Sequence, residues 1–365
     1  MSRVIVIGAG VVGLAVAQAL ARRGSEVVVC ERRSGIAQET SSRNSGVLHA
    51  GLYYPEGSQK AVLCVEGRER LARFLPEHGI EHRWVGKLIV ACEAAELPEL
   101  ERIHARAQAC GAVPLVAWSQ ADIARRFPAV RAIAGLWSEG TGIVDAHGLA
   151  QRLKHVAQAH EAMVLCRRTV VAAVQNGNAL RLGIQAADAS ALEWLETDAV
   201  VNAAGLGADV VAQLPGTNTN LPQQHWVKGN WFALRGPSPV DALVYPVPAP
   251  HLLGLGTHLT VDLAGRARLG PDTEPVTDPS DLQVDPARAA TFARAAQRFL
   301  PQLETEDLHP DQAGIRPKLA LDRFADFHIA RRAELPLPWI DLLGIESPGL
   351  TACLAIAERV AALLA

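Results

Sequence analysis

Three glycines near the start of the chain have the spacing of a phosphate-binding turn. Gly8, Gly10 and Gly13 form GAGVVG between an apolar run, RVIVI, and a segment with helical periodicity. The first glycine of such a loop permits a tight turn, the second lets the backbone approach a pyrophosphate, and the third lets the helix pack on the strand. The N-terminus of that helix offers N–H groups and a partial positive charge to phosphate oxygens. The motif therefore predicts a dinucleotide site that includes the backbone of Val11 and Val12.

An acidic residue ends the next predicted strand, SEVVVCE. Glu31 lies 18 positions after Gly13, where a carboxylate accepts hydrogen bonds from both ribose hydroxyls and repels a 2′-phosphate. The glycine motif does not distinguish FAD from NAD. The later run DAVVNAAGLGA (198–208) favours FAD, since it is typical of a second strand that passes the dinucleotide, although an ordinary strand–turn–helix explains the same pattern.

A segment that follows the nucleotide motif carries a histidine and two tyrosines with almost no charge. It reads NSGVLHAGLYY (44–54) and contains His49, Tyr53 and Tyr54. Its glycines interrupt it too often for a helix or for an ordinary buried strand. A packing role for His49 and for one of the tyrosines explains this pattern as well as a role beside the cofactor does.

Composition limits the classes of function. The chain has 365 residues, which favours two domains, and its net charge of −3 argues against nucleic acid and anionic membranes as partners. No apolar run approaches the roughly 18 residues of a membrane-spanning helix. The six cysteines form no CxxC pair and none lies near a histidine at metal-ligand spacing, so we predict reduced thiols, no metal and a cytoplasmic protein.

The order of predicted elements indicates an α/β fold with two domains. Residues 3–31 form a βαβ unit, helical patterns follow at 147–160 and 286–300, and short β-like runs with prolines dominate 215–280. We expect a Rossmann-like FAD-binding domain and a discontinuous antiparallel β-sheet substrate domain. The predicted ranges are 1–85, 146–220 and 310–365 for the FAD-binding domain, and 86–145 and 221–309 for the substrate domain.

Ten segments in order along nearly the whole chain carry a resemblance to a known family. The chain resembles the D-amino-acid-oxidase superfamily of FAD enzymes, and within it the L-2-hydroxyglutarate dehydrogenase/oxidase family. The segments are NSGVLHAGLYY, KAVLCVEG (60–67), GKLIVA (86–91), TGIVDAHGLA (141–150), VVNAAGLGAD, VKGNWFAL, YPVP, GLGTHLT, RLGPDTEP and AGIRPKL. The chain departs from the family in a short loop after GIRPKL, a reduced segment 301–345 and the wording of its C-terminal element, which puts the exact acid in doubt.

The resemblance implies FAD as cofactor and a small L-2-hydroxy acid as substrate, best matched by L-2-hydroxyglutarate oxidised to 2-oxoglutarate. It also implies that segment 44–54 lies along the cofactor and carries His49, Tyr53 and Tyr54 toward the flavin and the substrate. A set of cofactor contacts beyond the glycine motif is implied as well. Gly349 begins the last helix, whose N-terminus then stabilises negative charge on the reduced flavin. The implied contacts are Arg32, Ser42, Arg43, Asn44, Ser45, Val170, Ala204, Gly205, Arg316, Gly349, Leu350 and Thr351.

Oxidation of a 2-hydroxy acid requires a carboxylate ligand and a proton acceptor. Arg316 in AGIRPKL is the predicted carboxylate ligand, because a guanidinium matches a carboxylate with two parallel bonds. Lys228 is predicted to contact the flavin edge or a second carboxylate. His258 in GLGTHLT is the preferred base and His49 is its competitor, since a histidine accepts protons near neutral pH.

Three other interpretations stay open from the residues. An amine or amino-acid oxidase on the same fold needs no protein base, a flavin-binding protein without turnover needs no substrate, and an NAD-dependent dehydrogenase fits the glycine motif but not the later order of elements. The electron acceptor is oxygen, a quinone or an electron-transfer protein. A quinone acceptor would place the enzyme peripherally at a membrane.

Overall fold

The computed structural model describes residues 2–177, 179–216, 220–248 and 256–365. The central strands of its first sheet are short and mostly apolar, as expected for strands buried on both faces. Neighbouring strands in it are parallel, except for one antiparallel pair at the edge. In spatial order the strands are β20 (His328–Arg331), β21 (Trp339–Leu343), β13 (Ala199–Asn202), β1 (Arg3–Ile7), β2 (Glu26–Glu31) and β9 (Met163–Cys166).

Alternate residues of the central strands enter two different cores, as the two-residue period of a strand requires. On β1, Val4 and Val6 pack in a core with four helices, whereas Ile5 and Ile7 pack in a core with a three-stranded sheet. The helices are α1 (Val11–Ala21), α2 (Gln59–Glu77), α5 (Ala146–Ala159) and α8 (Gly349–Leu364). The covering sheet has the order β10 (Arg168–Asn176), β11 (Ala179–Ala186), β12 (Leu192–Thr197).

The other large sheet has nine strands in the described residues. All its pairs are antiparallel except one, since β15 runs parallel to β5. The prediction of an antiparallel sheet is therefore correct apart from this pair. The strands, in order, are β18 (Glu274–Pro275), β14 (His225–Leu234), β17 (Ala267–Gly270), β16 (His258–Val261), β15 (Leu243–Pro246), β5 (Lys87–Ala91), β7 (Ala134–Ser138) and β6 (Val116–Ser119), and β19 (Leu308–Lys318) pairs with β14.

A small sheet and four further helices complete the described elements. The small sheet pairs the segment after the nucleotide motif with the region before α5. Its strands occupy the stretches of sequence that connect strands of the six-stranded sheet with strands of the nine-stranded sheet. Its order is β3 (Val47–Leu48), β8 (Gly142–Val144), β4 (His82–Arg83). The helices are α3 (Leu97–Ala109), α4 (Gln120–Arg126), α6 (Ala208–Val211) and α7 (Ala289–Ala296).

The predicted α/β class with two sheet systems is confirmed. The predicted boundary at residue 310 falls inside β19, which pairs along its length with β14, so this strand belongs by hydrogen bonding to the nine-stranded sheet. The predicted β-run LLGLGTHLTV begins at 252–255, outside the described residues, and its last part forms β16. None of the helices in the described part of the chain combines the length and apolar character that crossing a bilayer requires.

Helices α2 and α8 meet through a glycine. A Cβ at Gly67 would overlap the carbonyl oxygen of Thr351 and lie 2.7 Å from Cα of Ala352. Both obstacles are backbone atoms, which cannot rotate away as a flexible side chain can. The contact therefore sets the separation of the two helices, and with it the position of the N-terminus of α8.

We predict that Gly67→Ala destabilises the protein although alanine is the better helix former. Alanine gains about 1 kcal/mol in helix propensity, but the overlap with α8 forces the helices apart, and overpacking of this kind costs about 1–3 kcal/mol. Thermal unfolding measures the effect. Val62→Ala, on the exposed face of the same helix at 52% exposure, is the control and leaves the midpoint nearly unchanged. Equal midpoints for Gly67→Ala and the wild type would contradict the packing argument.

Candidate functional site

One cavity of about 520 Å³ connects the glycine motif with the nine-stranded sheet. It begins at the N-terminus of α1, beyond the carboxyl end of β1, where ligands of parallel sheets usually bind. It ends between side chains of β15, β16 and β19. The segment that precedes and follows β3 forms one of its walls. Both sheet systems therefore contribute to a single site.

The glycine motif has the geometry that close approach to a phosphate requires. Gly8 has φ +105°, which favours glycine, and a Cβ there would lie 2.5 Å from the carbonyl oxygen of Ala203. A Cβ at Gly13 would overlap the carbonyl oxygen of Gly8. The N-cap residue of α1 is Gly10, which has no side chain to satisfy the first N–H groups of the helix. The N–H groups of Val12 and Gly13 line the cavity and are available to an anion, whereas that of Val11 already has a partner on the facing segment.

Ser41 supports this turn from the facing segment. Its Oγ accepts a hydrogen bond of 3.0 Å from the backbone N–H of Val11, and the residue lines the cavity. The neighbouring Ser42, a predicted cofactor contact, has little access to the cavity, and its hydroxyl donates to the carbonyl oxygen of Glu39. The sequence offers two adjacent serines and does not show which of them turns inward.

Glu31 anchors the loop with both carboxylate oxygens. One oxygen accepts from the N–H of Ala9 at 2.8 Å and the other from the N–H of Arg33 at 2.7 Å. The side chain is nearly buried, so these bonds replace the water that the carboxylate loses. Arg32 pairs with Glu39 at 2.6 Å. Glu31 therefore fixes the backbone of the glycine turn through the N–H of Ala9.

The segment from residue 40 to 49 is tied to β19 and α8. A Cβ at Gly314 would overlap the carbonyl oxygen of Arg43, which shows how closely the two backbones pass. Gln312 donates to the carbonyl oxygen of Asn44 at 3.2 Å. Thr351, fully buried on α8, accepts from the N–H of His49 at 3.0 Å. The segment is thus fixed between the two sheet systems, with His49 at the cavity wall.

His49 is surrounded by groups that disfavour its charged form. Burial, and then the charges of Lys87 and His258, hold the pKa of His49 well below its ordinary value. Its Nε2 lies 3.2 Å from the hydroxyl of Ser347. This imidazole is therefore neutral and already has a hydrogen-bond partner on the loop before α8.

His258 projects from β16 into the cavity as a neutral imidazole. Its Nδ1 lies 2.9 Å from the carbonyl oxygen of Gly256, which can only accept, so Nδ1 carries the proton and Nε2 bears the lone pair. The ring stacks on Tyr245 with centroids 3.6 Å apart and meets the edge of Trp231 at 5.6 Å. Burial is the main cause that lowers the pKa of His258 to about 3.

Arg316 lies in the same cavity, on β19. Its guanidinium donates to the backbone carbonyl oxygens of Asp272 at 2.7 Å and Lys228 at 3.2 Å. Among the described residues it forms no ion pair with a carboxylate. Burial lowers its pKa from the ordinary value, but a guanidinium stays charged at neutral pH. The geometry therefore leaves a positive charge beside His258 that no side-chain carboxylate of the described residues pairs with directly.

A buried cluster of two lysines and one glutamate lines the cavity next to Arg316. The Nζ atoms of Lys60 and Lys318 lie 3.0 and 2.9 Å from the carboxylate of Glu346. Burial alone raises the pKa of Glu346, but the nearby cations Lys60, Lys318 and Arg316 hold it below its ordinary value. With both lysines protonated the cluster has a net charge of +1, so it attracts a further anion.

Fifteen of the predicted site residues line the cavity. They are His49, Tyr53, Tyr54, His258, Arg316, Gly10, Val11, Val12, Gly13, Arg43, Asn44, Ser45, Gly205, Gly349 and Leu350.

The remaining predicted site residues lie outside the cavity wall. Gly8, Glu31 and Thr351 position its backbone. Arg32 and Ser42 bond to Glu39, and Val170 packs in the core beneath the three-stranded sheet. Ala204 lies between two lining residues, Ala203 and Gly205.

The expectation that Lys228 contacts the flavin edge or a second carboxylate is wrong. Its ammonium lies 2.7 Å from Asp281 and 3.5 Å from Glu274, and the two carboxylates already neutralise it. The position of these partners in the fold, on segments after β17, is not apparent from the sequence around VKGN.

Several important residues are not found by sequence reasoning. Lys60 and Lys318 each lie within segments that carry the family resemblance, but only the fold brings them together on Glu346. Tyr245, the residue that stacks on His258, lies in YPVP and reads as a packing tyrosine. Lys87 lies beneath the ring of Tyr245. The one sequence feature that could have indicated a special role for it is the presence of a lysine in the apolar strand GKLIVA.

The charges of the cavity fit a strongly anionic occupant such as FAD together with an acid. Six cations line it and two anions, so the wall has a surplus of positive charge. A diphosphate at the N-terminus of α1 uses the unsatisfied N–H groups described above. The cations are Arg43, Lys60, Arg106, Arg316, Lys318 and Arg323, and the anions are Glu99 and Glu346.

Comparisons with known proteins agree with this site. Residues 3–363 match the family model described as DAO, FAD dependent oxidoreductase. A mitochondrial L-2-hydroxyglutarate dehydrogenase from Arabidopsis thaliana is 36% identical, over 98% of this chain and 82% of that protein. An L-2-hydroxyglutarate dehydrogenase from Indibacter alkaliphilus is 30% identical, over 74% of this chain and 67% of that protein.

Solved structures share the fold. L-alpha-glycerophosphate oxidase from Mycoplasma pneumoniae with FAD bound has a TM-score of 0.87 at 24% identity, covering 100% of this chain and 95% of that one. Glycine oxidase from Geobacillus kaustophilus has a TM-score of 0.80 at 21% identity, covering 100% and 95%. With a family model that spans almost the whole sequence and a cavity built for a dinucleotide, the chain belongs to the DAO family of FAD-dependent oxidoreductases.

Proposed function

We propose that the enzyme oxidises L-2-hydroxyglutarate to 2-oxoglutarate. The observation that carries the proposal is the cavity itself, which holds an imidazole with a lone pair at Nε2 of His258, a guanidinium at Arg316 and a second cationic cluster. A five-carbon hydroxy diacid has one hydroxyl and two carboxylates for these three groups. The relatives named L-2-hydroxyglutarate dehydrogenase support the same substrate.

Arg316 would bind the carboxylate next to the reacting carbon. Nη2 donates to the carbonyl oxygens of Lys228 and Asp272 and Nε to that of Val227, which holds the guanidinium in position and leaves the N–H groups of Nη1 for the carboxylate. Arg316 and His258 line the same cavity, so both can reach one small molecule.

The cluster of Lys60, Lys318 and Glu346 would bind the second carboxylate. Arg316 and Lys318 are two residues apart on β19, so their side chains leave the same face of the strand about 6.6 Å apart. A five-carbon diacid can span this separation. The net charge of +1 in the cluster would then be neutralised by the carboxylate, which a monocarboxylic acid cannot do.

His258 would accept the hydroxyl proton. Bound FAD supplies the acceptor for the hydride that leaves Cα of the hydroxy acid. The hydroxyl proton must leave as the carbon–oxygen double bond forms, and Nε2 of His258 takes it. The low pKa of His258 rises when a dianion binds beside the ring, since an opposite charge favours the imidazolium. General-base help of this kind contributes about 10² to 10⁴ in rate.

The glycine turn, Ser41 and the N-terminus of α8 would hold the cofactor. The N–H groups of Val12 and Gly13 on α1 would bind the pyrophosphate, and the N-terminus of α8 at Leu350 would face the flavin, where the helix dipole favours negative charge. The N–H of Gly349 already donates to the carbonyl oxygen of Glu346. His49, Tyr53 and Tyr54 would line the space between cofactor and substrate. His49 is the weaker candidate for the base because Ser347 already occupies its Nε2.

A glycine-oxidase-like amine or amino-acid oxidase is the second candidate. Arg316 would bind an amino acid equally well, and glycine oxidases share the fold. The buried lysine pair argues against it, since a cationic wall disfavours an ammonium substrate.

The electron acceptor that reoxidises the flavin is oxygen, a quinone or an electron-transfer protein. A cytoplasmic location for this chain stays a prediction, whereas the Arabidopsis relative is named mitochondrial.

We predict that Ser41→Ala weakens FAD binding and that Ser42→Ala does not. Removal of the hydroxyl at 41 leaves the N–H of Val11 without its partner, and a lost hydrogen bond costs about 1 kcal/mol, or roughly fivefold in affinity. Titration of the apoproteins with FAD measures the change. Equal affinities for the two variants would show that Ser41 does not support the phosphate turn.

We predict that anaerobic mixing with L-2-hydroxyglutarate bleaches the flavin absorbance and that the D-enantiomer does not. L-Lactate, which lacks the second carboxylate, should reduce the flavin at least about tenfold more slowly at equal concentration, because one charged hydrogen bond contributes about 1.5–3 kcal/mol. Rapid bleaching by glycine or sarcosine without bleaching by the hydroxy diacid would favour the amine oxidase instead.

We predict that His258→Asn slows flavin reduction by about 10² or more, whereas His49→Asn has a smaller effect. Asparagine keeps a polar side chain in each place but accepts no proton. Stopped-flow measurement at saturating L-2-hydroxyglutarate separates the rate of reduction from binding. If His258→Ala retains near-normal reduction while His49→Ala loses it, the assignment of the base is wrong.

A further inference from the structure

Lys87 is a fully buried cation that the proposed reaction does not use. It begins β5 with 0% exposure, and its Nζ has no hydrogen-bond partner among the described residues. Desolvation of an ammonium is costly, and a buried lysine without a partner is rare. Neither an ion pair nor a hydrogen-bonded network stabilises this ammonium in the described part of the chain. Another physical reason is therefore needed for a lysine at this buried position.

Its surroundings connect it to the proposed base. Nζ lies over the ring of Tyr245 at 4.2 Å and 5.3 Å from the ring centroid of Tyr53. Tyr245 stacks in turn on His258 at 3.6 Å. A cation over an aromatic face is stabilised by the ring quadrupole, which compensates part of the lost hydration. Lysine, tyrosine and histidine thus form one stack that ends at the cavity.

We propose that Lys87 is a positioning residue whose charge, acting through the Tyr245 stack, opposes a charge on His258 and controls how readily Nε2 accepts the hydroxyl proton. A positive charge behind the ring opposes a second positive charge on the imidazole. When Lys87 is neutral, that opposition disappears and His258 becomes the stronger base. This inference rests on the proposed function for the identity of the acid and for the role of His258 as its base.

The charged and titratable groups around Lys87 support this role. Cys64 on α2, His49 and Tyr53 after β3, Tyr245 on β15 and His258 on β16 face it, and Arg316 on β19 lies beyond His258. Burial raises the pKa of Cys64 to about 12, so it is a neutral thiol. The described residues place no carboxylate against Lys87. Its charge therefore acts on the histidines without being neutralised.

The same burial brings the titration of Lys87 into the working range of pH. Burial lowers the pKa of Lys87 from 10.5 to about 7, whereas that of His258 lies at about 3. Below pH 7 Lys87 is charged and His258 is held as a weak base. Above pH 7 Lys87 is neutral and the proton is accepted more readily. The rate of flavin reduction at saturating substrate should therefore rise with pH through about 7, with Lys87 as the titrating group.

Two substitutions of Lys87 test this with opposite expected results. Lys87→Met keeps the volume but never carries a charge, so its rate of flavin reduction should stay at the high-pH level across pH 6–8. Lys87→Arg always carries a charge and should stay at the low-pH level. At pH 6 we expect the Met variant to be roughly two- to fivefold faster than the wild type. A change of one unit in the pKa of His258 is a tenfold change in its proton affinity, and only part of that change appears in the rate of flavin reduction. Lys154→Met, on the distant helix α5, is the control and should keep the wild-type profile.

A measurement without substrate distinguishes this inference from the proposed function. Histidine ¹⁵N spectra of the FAD-loaded protein report the charge of each ring, and His258→Asn identifies the His258 signal. In Lys87→Met that signal should titrate at higher pH than in the wild type. An unchanged titration, or a rate limb near pH 7 that persists in Lys87→Met, would overturn the proposal. If Lys87→Met does not fold, Lys87→Arg provides the test. A rate of flavin reduction that still rises through about pH 7 in Lys87→Arg would also overturn the proposal.

Discussion

Close approach of backbone to backbone at three glycines is the constraint on which the rest of the structure depends. Gly13 lets α1 rest on the end of β1, Gly314 lets β19 pass the segment after Arg43, and Gly67 lets α2 rest on α8. At each place a Cβ would overlap a carbonyl oxygen. These contacts bring the N-termini of α1 and α8, the segment at Arg43 and strand β19 within reach of a single ligand, and the cavity lies between them.

A surplus of buried positive charge is the second feature that determines the site. Arg316, Lys87 and the pair on Glu346 are all largely removed from water, and the described residues give them fewer carboxylates than they need. Burial of unpaired cations destabilises a folded protein. A diphosphate and a dicarboxylate would relieve that cost on binding, which explains how the chain can select strongly anionic ligands.

The neutral state of His258 follows from this electrostatic setting. Its tautomer is set by the carbonyl oxygen of Gly256, its ring orientation by Tyr245 and Trp231, and its low basicity by burial and nearby cations. A base in such a site gains strength when an anion arrives. In the proposed reaction, substrate binding and proton acceptance would therefore be coupled through charge.

The sequence by itself determined the nucleotide turn and the class of fold, because these depend on local features and on the order of elements, and it named fifteen of the residues that line the cavity. A glycine spacing and a strand ended by Glu31 are each evident within a few residues, whereas the role expected of Arg316 in AGIRPKL came from the family resemblance. Only the tertiary structure decided that Ser41 turns inward, that Lys228 is neutralised by Asp281, and that Lys87 lies under Tyr245 and His258. Those contacts join strands that are distant along the chain, and side chains on separate strands become neighbours only when hydrogen bonding places β5, β15 and β16 side by side.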